Sequence, residues 1–73
     1  MEKLLKIINE FLDSIGVEPI ASLVPTLNLK KDLEIDSISY AELVVILEET
    51  YGININDKGK AETIGDVQER LLN

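Results

Sequence analysis

Two runs of apolar residues at helical spacing, separated by a long stretch with no period, constrain this chain more than any other feature. In the first run Leu4, Leu5, Ile8, Phe11, Leu12 and Ile15 recur along one face, with Lys3, Lys6, Glu10 and Asp13 off the stripe. Gly16 supplies a stop. The second run places Tyr40, Leu43, Val44, Leu47 and Tyr51 on one side of a helix predicted from Ser37 to Tyr51 and ended by Gly52. Between them, Val17 to Asp36 contains Pro19 and Pro25 but also Ile20, Leu23, Val24, Leu27, Leu29, Leu33 and Ile35. So much apolar content predicts an ordered loop lying over the core rather than a disordered linker.

After Ile55 the segment NDKGKAE has room for at most a turn or two of helix. Thr63 and Asp66 then form a capping-box pattern ahead of an apolar stripe of Ile64, Val67, Leu71 and Leu72. The expected fold is all-α, a small bundle of three main helices with a short fourth turn allowed, joined by one long ordered loop within a single domain, residues 1–73.

At 73 residues such a domain buries roughly 60% of the surface its unfolded chain exposes, too little to build a deep catalytic cleft. The chain has neither cysteine nor histidine, so it lacks a thiolate and the commonest general base. Self-contained catalysis is not expected. Seven basic and fourteen acidic residues leave a net charge of −7, which repels nucleic acid and anionic lipid and attracts basic protein surfaces. The opening MEKLLKIINEFLDSIG is broken by charge at Glu2, Lys3, Lys6, Glu10 and Asp13. It fits neither a signal peptide nor a membrane span. A soluble cytoplasmic monomer with protein partners is the expectation.

Ser37 stands where the second helix should begin, and serine is a favoured N-cap. Asp36 would cap equally well, and Ser39 with Glu42 offers another capping box, so the cap does not require Ser37. With no histidine in the chain, a reaction at the Ser37 hydroxyl would need a base from another enzyme. Both readings, helix start and attachment point, stand at this level. The segment from Asp32 to Asp57 carries seven acids and no lysine or arginine. On the outer face of the second helix these acids mix with Ile38, Ala41 and Val45, a pattern suited to docking a basic-rimmed partner. Ile46 falls at the boundary of the two faces. A calcium loop starting at Asn54 is excluded, because its third oxygen position is Lys58 and its twelfth is Gly65.

The stretch DLEIDSISYAELVVILEETYGINI resembles the acyl carrier proteins, whose pattern is D-L-G-x-D-S-L followed by V-E-L-V-x-x-L-E-E-x-F-G-I-x-I. The match runs through Asp32, Leu33, Asp36, Ser37, Glu42, Leu43, Val44, Leu47, Glu48, Glu49, Gly52, Ile53 and Ile55, with Ile38 for leucine and Tyr51 for phenylalanine. The resemblance implies that Ser37, preceded by Asp36, bears a covalent 4′-phosphopantetheine donated from coenzyme A by a magnesium-dependent phosphopantetheinyl transferase. It further implies an acyl group carried as a thioester on that arm, and an acyl cavity along Tyr40, Leu43, Val44 and Leu47. Enzymes that make or transfer acyl groups would dock through basic surfaces on Ile38, Ala41, Glu42, Val45, Glu48 and Glu49. Fatty acid biosynthesis is the expected setting. The alternatives are a carrier dedicated to polyketide, amino-acyl or other specialised acyl groups, and an unmodified helical adaptor. Three departures from the pattern stand out: Glu34 replaces its glycine, Tyr40 stands where a small residue is usual, and the stretch between Ile55 and Thr63 is shorter than in typical fatty-acid members, with Gly59 weakening its helix propensity.

Overall fold

The computed structural model describes residues 2–57 and 59–72. It contains three helices: α1, Glu2–Ser14; α2, Ser37–Tyr51; and α3, Ile64–Leu72. The first buries Leu4, Ile8, Phe11 and Leu12, while Leu5 and Ile15 are half-buried at the edge of the stripe. Its end is closed by backbone geometry. Gly16 takes φ +76°, and this left-handed turn lets Gly16 N–H reach Asp13 O at 3.2 Å and Val17 N–H reach Leu12 O at 2.9 Å. Two of the carbonyls left open at the helix terminus are thereby satisfied.

The loop from Val17 to Asp36 is ordered over the core as expected. Leu29, Leu33 and Ile35 are buried, and Val17, Ile20, Leu23 and Leu27 pack partly buried against the same cluster. Burial of apolar side chains requires that the loop's backbone polar groups find partners too. The Asn28 carboxamide oxygen accepts from Lys30 N–H at 2.9 Å and Lys31 N–H at 2.8 Å, and Asn28 N–H donates to the Asp32 carboxylate at 2.6 Å. Further along, Leu29 N–H reaches Glu62 O at 2.8 Å, and Ile64 N–H reaches Leu27 O at 2.9 Å. An isolated antiparallel bridge joins Asn28 to Thr63 in the same region. The loop is therefore stitched to the start of α3. There Gly65 N–H bonds Pro25 O at 2.9 Å, and a Cβ on Gly65 would stand 3.0 Å from that oxygen, a tight contact that glycine avoids.

Helix α2 is capped by Asp36, whose carboxylate accepts from Ser39 N–H at 2.7 Å. It ends at Gly52, φ +67°, whose N–H bonds Glu48 O at 2.8 Å. The Ser39–Glu42 pattern lies inside the helix and starts nothing. At α3 the expected capping box forms: Asp66 N–H donates to Thr63 Oγ1 at 3.1 Å, and Thr63 N–H returns to the Asp66 carboxylate at 3.1 Å.

Leu72, placed on the apolar stripe of α3, is instead 77% exposed; Ile64 and Val67 are buried and Leu71 is partly buried, so the stripe stops short of the helix end. Among the described residues the allowed fourth helix is a turn through residues 55–57, with Asp57 N–H bonded to Asn54 O at 3.3 Å. Asn54 and Asn56 disfavour continued helix because their side chains bond nearby backbone N–H groups, on Asn56 and Ala61. Lys58, on which the exclusion of a calcium loop partly turned, lies outside the described residues.

Candidate prosthetic-group attachment site

Ser37 is the first residue of α2 and is exposed. Because Asp36 takes the capping role, the Ser37 hydroxyl is left for other chemistry. Hydrogen bonds from Ser39, its backbone N–H foremost, hold the Asp36 carboxyl below the usual carboxylate range. The cap is thus ionised at neutral pH. The Lys30 ammonium donates to Ser37 Oγ at 3.2 Å, bringing a cation from the preceding loop to the hydroxyl. An exposed oxygen at a helix N-terminus, with a cation beside it, fits the phosphodiester of a covalently attached phosphopantetheine: the amide dipoles and the ammonium both favour negative charge there.

Helix α2 separates its other residues into two sets. Ile38, Ala41, Glu42, Val45 and Glu49 are exposed, with Ile38 at 72% and Val45 at 49%. Ile46, at the boundary by periodicity, joins them. Ser37, Ile38, Ala41, Glu42, Val45 and Ile46 line one apolar trough that starts at the serine and runs along the helix. Glu48 departs from this set. It is half-buried, and its carboxylate accepts from Ile55 N–H at 3.0 Å, so it ties the end of α2 to the following segment.

On the inner side Tyr40, Leu43, Val44 and Leu47 are all buried. The Tyr40 hydroxyl, which a buried phenol needs to satisfy, donates to Ala61 O at 2.5 Å. Burial pushes its pKa above the ordinary phenol value, so the donor proton stays in place through the neutral range. A pocket of about 120 Å³ opens over this ring, lined by Asn28, Lys30, Lys31, Tyr40, Lys60 and Glu62. The Lys60 ammonium stands 5.0 Å from the ring centroid, within cation–π range.

Sequence reasoning missed Lys30. The available signal was the Lys30–Lys31 pair just before the acidic run, but nothing in linear spacing shows that a loop residue seven positions upstream folds back onto Ser37.

The family model described as "Phosphopantetheine attachment site" matches residues 2–68. An acyl carrier protein of Rubrobacter xylanophilus is 38% identical over 71 residues, covering 96% of this chain and 85% of the relative. One from Acidothermus cellulolyticus is 30% identical over 74 residues, covering 99% and 88%. The meromycolate extension acyl carrier protein of Mycobacterium leprae is 36% identical over 69 residues, covering 90% of this chain and 59% of the relative, so the chain spans little more than half the length of that protein. The chain belongs to the acyl carrier protein family, whose members hold acyl groups on covalently attached 4′-phosphopantetheine and are carriers rather than enzymes. Among the described residues, no helix is long and apolar enough to cross a membrane.

Proposed function

We propose that this chain carries acyl groups on a 4′-phosphopantetheine arm attached to Ser37, and presents them to partner enzymes of fatty acid biosynthesis as a cytoplasmic monomer folded as one domain. The observation that carries the reading is the exposed Ser37 hydroxyl, released from capping by Asp36 and approached by the Lys30 ammonium. Bound there, the arm supplies a flexible tether ending in a thiol on which acyl groups are held as thioesters. The remaining roles fall to residues of this chain.

Ser37 Oγ is the nucleophile of loading. Its bond to the β-phosphorus of coenzyme A forms as the phosphoanhydride bond to the adenosine portion breaks, and the hydroxyl proton leaves to a base of the phosphopantetheinyl transferase. Asp36 keeps the helix start rigid beside the attachment point. Ile38, Ala41 and Val45 form the apolar centre of a docking face, and Glu42 and Glu49 its acidic rim, complementary to basic surfaces on the transferase and on acyl-handling enzymes. Glu48 supports the end of this helix through Ile55. Tyr40, Leu43, Val44 and Leu47 form the side along which an acyl chain would enter. The names of the relatives, acyl carrier proteins including one of meromycolate extension, support a lipid-building role.

Incubation with coenzyme A, magnesium and a promiscuous phosphopantetheinyl transferase, followed by intact mass measurement, tests the attachment. The natural chain should gain one phosphopantetheine mass and a folded Ser37→Ala variant none. Modification of that variant, or of Ser14, Ser22 or Ser39 in the natural chain, would refute the assignment.

A further inference from the structure

Three of the chain's seven basic residues, Lys30, Lys31 and Lys60, line the pocket over Tyr40. This is a local reversal of sign on a chain of net charge −7. Of the three, Lys30 reaches Ser37 itself, donating to Oγ at 3.2 Å. Among the described residues no carboxylate pairs with the Lys30 ammonium, although Asp32, Glu34 and Asp36 are close in sequence. The charge is directed at the serine oxygen, with no carboxylate among the described residues to neutralise it.

The geometry points to Lys30 as the positioning residue for the attached arm: its ammonium pairs with the phosphodiester formed on Ser37 and so fixes the direction in which the arm's first atoms leave the helix. This rests on the assignment of Ser37 as the attachment point. A phosphorus bonded to Oγ carries its charged oxygens about one further bond out, within salt-bridge reach of a cation already 3.2 Å from Oγ. The pairing also has an electrostatic task. Adding a phosphodiester puts another negative charge beside the Asp36 carboxylate, which its hydrogen bonds keep ionised, and Lys30 offsets that repulsion. Lys30 is half-buried and its backbone N–H is held by Asn28, so the base of the side chain is fixed before the arm arrives. Pre-fixed charge costs less ordering on pairing than a freely swinging surface lysine would.

The test compares unmodified and modified forms of the natural chain, Lys30→Met, Lys30→Arg and Lys31→Met. Methionine keeps most of the aliphatic stem and removes the charge, and Lys31→Met controls for general loss of a cation. Two readouts are followed at low and high salt: the change in melting temperature on modification, and the ³¹P resonance of the phosphodiester. In Lys30→Met the change in melting temperature should become less favourable by about 2–5 °C at low salt, as expected for loss of a partly exposed ion pair in a domain this small. Lys30→Arg should restore it, Lys31→Met should leave it alone, and high salt should shrink the difference. The ³¹P resonance of Lys30→Met should lie apart from that of the natural chain at low salt and approach it at high salt. Equal changes in melting temperature with coincident ³¹P resonances would overturn the role of Lys30 while leaving the attachment intact. An absence of any arm on the natural chain would overturn both.

Discussion

Asn9 on α1 holds Ile20 in the long loop by two hydrogen bonds: its carboxamide N–H donates to Ile20 O at 3.0 Å, and its oxygen accepts from Ile20 N–H at 2.8 Å. A side-chain amide imitates a neighbouring strand here, satisfying both backbone groups of one loop residue as it crosses the helix. This clasp lets Ile20 and Leu23 press against the core without leaving peptide groups unpaired.

Replacing Asn9 with alanine should therefore cost about 1–3 kcal/mol, because both groups of Ile20 lose their partner in a partly buried position. Denaturant unfolding of the variant measures the loss, and amide exchange should quicken at Ile20 while Leu43 and Leu47 in α2 keep most of their protection. Unchanged exchange at Ile20 would mean that the clasp holds nothing.

Glu34 lies at φ +54°, the left-handed region that a side chain with a Cβ rarely adopts. Glycine relieves the steric strain there, at the cost of more unfolded-state entropy, and it also removes one acid from a crowded run. Glu34→Gly should raise stability by about 0.5–1 kcal/mol, with Glu34→Ala gaining less because alanine keeps the Cβ. A melting curve for Glu34→Gly at or below that of the natural chain would contradict the argument.

Tyr40 is 6% exposed, with its hydroxyl on Ala61 O. Tyr40→Phe leaves that carbonyl without its donor and should cost about 1–2 kcal/mol. Since burial raises the phenol pKa, the contribution is complete below the ordinary tyrosine value of about 10. It is lost as pH climbs through the higher folded value, so the two proteins should converge in stability at strongly alkaline pH. The ring also fills the inner side below Ser37. Acyl groups of short chain should accordingly raise the melting temperature of the loaded carrier more than palmitoyl does, and Tyr40→Ala should narrow or reverse that order.

Asp36 and Asp66 both have lowered pKa values, the first chiefly through the Ser39 N–H and the second chiefly through the Glu62 and Thr63 N–H groups. A depressed carboxyl contributes stability above its unfolded value, about 3.9, and loses it as pH falls through the folded value. Asn at both positions keeps an acceptor oxygen but does not titrate. From about pH 5 down to about pH 3 the natural chain should lose more stability than the Asp36→Asn/Asp66→Asn variant. Parallel acid limbs would show that the caps are not linked to protonation.

Glu42 lines the trough of α2 with the exposed Ile38 and Val45, and Glu49 is exposed about one turn further along the helix. Reversing both to lysine should slow modification by a transferase with a basic docking surface, roughly tenfold at low salt, with a smaller difference at high salt. Both glutamates are exposed, so the fold should tolerate the change. Equal rates at low salt would move the docking face elsewhere.

Features that depend on neighbours in sequence were legible in the chain. The two stripes, the stops at Gly16 and Gly52, the Thr63–Asp66 box and the alternative cap at Asp36 all rest on interactions spanning a few residues, where 3.6-residue periodicity and side-chain chemistry decide the outcome. The motif around Ser37 was legible for the same reason, as was the division of α2 into an exposed acidic and apolar face and a buried one. The contacts that give the site its character join parts of the chain brought together only by folding. Asn9 finds Ile20, Lys30 finds Ser37, and Tyr40 finds Ala61 across separations of 11, 7 and 21 residues. Glu34 was visible as a replaced glycine, but its left-handed backbone follows from the path the loop must take between Leu33 and Ile35, both buried. Leu72 shows the converse. Its periodicity is correct, yet it is exposed, because a stripe marks the face a helix offers and only packing decides how much of that face is covered.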